Sequence, residues 1–320
     1  MGNPQKPHLR VSRFCATQGA QKLQDPSAAV SEHGESSEAA PAGEQVLPVS
    51  LTLYEYVVII NSMINKNLKV SVKMKYIEYG KHCLDTIILL HGGGLSWWNY
   101  EDVANALQND YHIILPILNG HAESDKAFTT IENNAKEIIE YIDAHCGGSV
   151  LMIGGLSLGG QILLEILSQR KDICQYAVVE STLVRPSKLT YYMIKPAFGS
   201  CYGLIKHKWF SALQFKSLKI KANLFEHYFR DTCAISKKDM IAFLQANSLY
   251  SLKESIKECT AKVHIYIGEK ENSSIRKSAV DIHNALPKST LQVLPKLYHG
   301  EFSINHGNDY AQKIREIISI

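Results

Sequence analysis

No two cysteines in this sequence fall at CxxC spacing, although seven are present, an odd number. That argues against a disulfide framework and a zinc site, and leaves reduced, mostly buried thiols. Long apolar runs are missing too. The best candidate, Tyr56–Asn65, is about half the length needed to cross a bilayer, so no integral membrane contact is expected. No secretory apolar core follows Met1, and the opening MGNPQK lacks the sixth-position Ser or Thr of an N-myristoylation signal. An excess of either charge is missing as well: 34 Lys and Arg against 31 Asp and Glu leave +3, which gives no reason to expect nucleic acid as a partner. Asp and Glu are absent from the first 24 residues, which carry Lys6, Arg10, Arg13 and Lys22. This reads as the basic tail of a cytoplasmic protein, with an organelle-targeting segment as the alternative.

What is present sorts into four parts. Residues 1–50 form the first, and their stretch Ser27–Gln45 is rich in Ala, Ser, Glu and Gly with few large apolar side chains. Such a segment buries too little to offset its ordering entropy, so 1–50 reads as a disordered tail. Residues 51–180 begin with an apolar stretch of no assigned role and then turn regular. Lys69–Gly80 alternates with period two, and TIILL (Thr86–Leu90) and YHIILPI (Tyr111–Ile117) read as buried strands. Ile131–Cys146 has apolar residues at helical spacing, and SVLMI (Ser149–Ile153) and CQYAVVE (Cys174–Glu180) are further strands. Residues 259–320 resume strand, strand, helix. Alternation of this kind implies a mostly parallel sheet with helices on both faces. The third part, 181–258, breaks it. Thirteen Lys and Arg face five Asp and Glu there, twelve aromatics are present, and the section reads as a helical insertion.

One serine stands out in GGLSLGG (Gly154–Gly160), between an apolar strand and a helical pattern running to Arg170. A tight strand-to-helix turn strains its apex and needs small neighbours, which Gly155 and Gly159 supply on either side of Ser157. Its hydroxyl would then stand above the carboxyl edge of the sheet at a helix N-terminus, where a developing oxyanion is favoured. Upstream, an apolar strand runs into His91-Gly92-Gly93-Gly94 and then a helical pattern. Such a loop can turn backbone N–H groups toward the serine. With the N–H of Leu158 it would form an oxyanion hole, Gly93 being the first choice of loop donor and Gly94 the next.

Together with YHIILPILNGHAESD and LPKLYHGEFS, these stretches resemble the α/β-hydrolase fold superfamily, in that superfamily's order, from about Leu68 to Ile320. The resemblance implies an eight-stranded sheet, a helical cap over 181–258, no metal or organic cofactor, and a triad in the order Ser, acid, His. Its histidine would be His299, just after the strand TLQVL, with His306 as the neighbouring competitor; His91 and His121 would hold loops by hydrogen bonds. The acid would be Glu271, three residues after Gly268, where the family usually shows Asp. Glu269 lies close by, and Glu180 at the end of the sixth strand competes, because some members place the acid there. A departure lies in PILNGHAES (Pro116–Ser124), where Ile117 and Ala122 replace an acid and a glycine of the common pattern.

The expected protein is a cofactor-independent serine hydrolase cleaving a small to medium acyl ester or thioester through an acyl-enzyme. Its partner would be a small-molecule acyl substrate, with Tyr191, Tyr192, Phe198, Trp209 and Phe210 as candidates to line an acyl pocket. Amidase or carbon–carbon bond hydrolase chemistry uses the same apparatus. A non-catalytic binding protein of the same fold is the alternative from another class. A nucleotide-binding domain would need a G-K-[ST] ending or a G-x-G-x-x-G loop, and has neither.

Overall fold

A computed structural model describes residues 9–10, 74–286 and 288–319. The sheet is built from β2 (Tyr76–Tyr79), β3 (Thr86–Leu90), β4 (His112–Pro116), β5 (Val150–Leu156), β6 (Cys174–Glu180), β7 (Lys262–Gly268) and β8 (Thr290–Leu294). A two-residue strand, β1 (Leu9–Arg10), pairs outside β2, giving the order β1-β2-β4-β3-β5-β6-β7-β8. The expected tail over 1–50 and the apolar stretch after it fall outside the described residues apart from Leu9–Arg10, which pair with β2. β1 and β2 pair antiparallel; β3 to β8 run parallel.

The helices of the α/β layers are α1 (Glu101–Leu107), α2 (Ile131–His145) and α3 (Leu158–Gln169). Four more lie between β6 and β7: α4 (Lys188–Cys201), α5 (Lys208–Ser217), α6 (Phe225–Ala234) and α7 (Lys237–Leu249). The chain closes with α8 (Ser273–Ala285), α9 (Glu301–Asn305) and α10 (Gly307–Ile318). Among the described residues no helix is long and apolar enough to cross a membrane.

Strand periodicity decides which side chain enters which core. Ile88 and Leu90 of β3 face a cluster with Ile138 and Ile142 of α2 and Leu163 of α3. Ile87 and Leu89 face the opposite cluster, with Leu107 of α1 and Tyr310 and Ile314 of α10. Each such fully buried Ile or Leu stabilises by roughly 1.5–3 kcal/mol relative to exposure. α2 starts where Thr130 accepts a hydrogen bond from the N–H of Asn133 at 3.0 Å.

The section between β6 and β7 carries helices and no strand, and is tied to the α/β layers by polar contacts. Gln161 of α3 donates to the carbonyls of Leu183 (2.7 Å) and Asn247 (2.9 Å). Trp98 donates from Nε1 to Asp231 of α6 at 2.7 Å, and Phe128 N–H to Asp239 of α7 at 2.8 Å. Because β3 and β5–β8 are parallel, the residues following them gather on one edge. Pairings Leu90 with Gly155, Leu156 with Glu180 and Gly268 with Leu294 keep those ends level.

Candidate active site

A single residue, Ser157, joins β5 to α3, at φ 54° and ψ −110°. Such a backbone conformation costs a non-glycine residue of order 1–3 kcal/mol and persists only where its surroundings fix it. Here Ser157 donates its N–H to the carbonyl of Glu180 at 2.9 Å and accepts at its own carbonyl from Gln161 N–H at 3.0 Å. The glycines either side allow the close approach. A Cβ on Gly155 would run into the Gly159 carbonyl, and one on Gly159 into the carbonyl of Leu90. Gly159→Ala is therefore expected to lower the unfolding free energy by about 3 kcal/mol or more. A urea titration with an unchanged midpoint would contradict the close packing.

Leu158 is the first residue of α3, so its N–H has no partner one turn back along the helix. The glycine-rich loop after β3 lies beside it: a Cβ on Gly93 would be 3.5 Å from the side chain of Leu158 and 3.5 Å from the ring of Phe243 in α7. Two buried histidines set the loop's shape. His91 accepts from the N–H of Leu118 at Nε2 (3.1 Å), leaving Nδ1–H to donate to the Gly92 carbonyl (2.9 Å). His121 accepts from Gly94 N–H at Nε2 (3.1 Å) and donates from Nδ1 to the Asn119 carbonyl (3.2 Å). Gly94 is thereby used up as a donor, whereas Gly93 N–H makes no hydrogen bond among the described residues. Burial pushes His121 down to about 4, and burial with His121 beside it pushes His91 well below its usual value. Both rings are neutral near pH 7, as their acceptor roles require.

His299 and Glu271 meet. Glu271 lies on the turn after β7, where its N–H donates to the Gly268 carbonyl at 3.2 Å and Asn272 caps α8. His299 follows β8. Its Nδ1 is 3.1 Å from both carboxylate oxygens of Glu271, which is buried while the imidazole is 44% exposed. Gly300, at φ 67°, rests against the side chain of Leu156, the residue before Ser157, and donates its N–H to Ser181 Oγ at 3.2 Å. The histidine loop is thus packed on the serine turn. His306 instead sits at the junction of α9 and α10, 3.8 Å from Asp309. Glu269 accepts from the N–H of Lys296 at 2.8 Å and shapes the neighbouring turn.

A family model described as the alpha/beta hydrolase fold matches residues 85–199, from just before β3 into α4. The chain has the α/β-hydrolase fold. Lipase 1 of Psychrobacter immobilis is 31% identical over 113 residues, which is 34% of this chain and 35% of that lipase; the matched part is about a third of the relative's length. An esterase from Thermogutta terrifontis superposes with a TM-score of 0.64 at 16% identity, covering 77% of this chain and 93% of that one. The enol-lactonase from Burkholderia xenovorans gives a TM-score of 0.65 at 13% identity, covering 77% and 97%. At these identities the likeness is one of fold. The family match includes Ser157 but stops short of Glu271 and His299.

Glu180, the competing acid, has a different environment in this fold. It is buried beneath α9, accepts from Ser303 N–H at 3.2 Å, and leaves Oε2 without a partner. The hydroxyls of Tyr100, Ser303 and Tyr310 are likewise buried and unpartnered. Burial pushes the Glu180 carboxyl up to about 7. A carboxyl raised from 4.5 in the unfolded chain to about 7 contributes stability that is full below pH 4.5 and lost as pH rises through 7, up to about 3 kcal/mol. Glu180→Gln is expected to flatten the stability-versus-pH curve across that window. A slope equal to that of the parent would contradict it.

Sequence reading passes over Ser181, which fastens the histidine loop, and Phe243, which stacks on His121 with centroids 4.6 Å apart. Neither carries a local motif; both act across more than a hundred residues of chain. Two of the aromatics expected to line an acyl pocket, Tyr192 and Trp209, are 70% and 66% exposed.

Proposed function

We propose that this protein is a serine hydrolase cleaving a carboxylic ester or thioester of small to medium acyl size, with Ser157, His299 and Glu271 as its triad. The observation that carries the reading is the His299–Glu271 contact on a loop packed against the strained Ser157 turn. Glu271 accepts from Nδ1–H, which fixes the tautomer and leaves Nε2 as the base. Ser157 Oγ attacks the acyl carbon while Nε2 takes its proton; the alkoxide or thiolate leaves with that proton. Water, deprotonated by the same nitrogen, then cleaves the acyl-enzyme and returns Ser157 to its hydroxyl. The tetrahedral oxyanion is held by the N–H groups of Gly93 and Leu158, aided by the α3 N-terminus.

The insertion acts as the cap. Phe243 supports this role, because it brings α7 against Gly93 and so over the acyl side of the site. An apolar wall there favours an acyl chain over a charged group. The test is a panel of p-nitrophenyl esters of increasing acyl length. Turnover that peaks at short to medium chains is expected. No turnover of any ester by a folded protein would contradict the reading.

A further inference from the structure

The first two helices of the insertion are apolar on both sides. α4 turns Ile194 inward, yet Leu189, Tyr192, Met193 and Pro196 form an outer stripe at spacing i, i+3, i+4, i+7. α5 buries Ser211 and Phe215 while Trp209 and Leu213 face outward. Leu189, Tyr192, Met193, Trp209 and Leu213 are between 56% and 76% exposed. Isolated exposed apolar residues are ordinary, but regular outer stripes on successive helices are not.

Charge around these stripes has one sign. From Ser181 to Phe225 the chain holds eight Lys and Arg and no Asp or Glu. Arg185, Lys208 and Lys221 pair with Asp281, Glu226 and Asp102 from elsewhere in the chain. Lys188, Lys195, Lys206 and Lys216 form no ion pair among the described residues. Lys188 and Lys195 lie one turn either side of Tyr192, and Lys216 continues the Trp209–Leu213 face.

The geometry points to a peripheral docking face for an anionic lipid bilayer on α4 and α5. Trp, Tyr, Leu and Met enter the headgroup boundary while the lysines stay at the phosphate level, their stems lying along the apolar surface. A bilayer suits this face because it supplies dispersed anionic charge, and the lysines are spread along two helices instead of converging on one point. This attachment is peripheral and stands apart from the hydrolase reading, since it uses none of the site's residues.

Flotation of the full-length protein with phosphatidylcholine vesicles, with and without phosphatidylserine, tests it. Binding is expected only to the phosphatidylserine vesicles, weakening as salt is raised. The triple change Lys188→Gln, Lys195→Gln, Lys216→Gln should lower the partition coefficient about a hundredfold, near fivefold per lysine. Trp209 supplies a local readout, because Trp98 is buried and Trp97 partly so. Its emission should shift to the blue on binding, and Trp209→Ser should remove the shift and weaken binding while the thermal midpoint holds. No partition to phosphatidylserine vesicles, equal partition to neutral ones, or binding indifferent to both variants would overturn the proposal.

Discussion

Ser157→Ala should lower kcat/KM for ester hydrolysis by about four to six orders of magnitude while leaving the protein folded. The size follows from the role: without Oγ no acyl-enzyme forms, and only the oxyanion donors and substrate binding remain. Stability should change little, because the Ser157 hydroxyl caps no helix and the strained turn is held by main-chain bonds to Glu180 and Gln161. Retention of more than a few per cent of activity by a folded variant would remove Ser157 as nucleophile.

The second large effect separates the two acids. Glu271→Gln should cost about four orders of magnitude in kcat, because an amide no longer selects the Nδ1–H tautomer of His299. Glu271→Asp should recover part of it. Glu180→Gln should cost less than about tenfold, since Glu180 bonds the main chain of Ser303, not the imidazole, and burial already favours its neutral form. The reverse ranking would hand the acid's role to Glu180.

The contrast between these carboxylates also shows what the sequence can carry. Buried strands such as TIILL declare themselves by composition, and Ser157 by the glycines its turn requires, so sheet, helices and serine turn are legible residue by residue. Glu180 and Glu271 are not distinguishable that way. Each follows a strand on the same edge, and only the fold puts His299 Nδ1 3.1 Å from Glu271. Gly93 ranks ahead of Gly94 as loop donor on the sequence, but only the fold shows that His121, 27 residues further on, takes up the N–H of Gly94. The exposed Tyr192 and Trp209 carry the same lesson: an aromatic count gives the apolar character of the insertion but not the side each ring faces. Long-range pairing decides these points, and local pattern does not encode it.

In the proposed mechanism one serine, activated by His299, is the reactive group. A fluorophosphonate probe followed by peptide mass spectrometry tests this most directly, because the probe forms a stable adduct only with an activated serine. A single adduct on Ser157, absent in Ser157→Ala and strongly slowed in His299→Ala, is the expected result. No adduct on the folded protein, or labelling of Ser157 at an unchanged rate without His299, would contradict it.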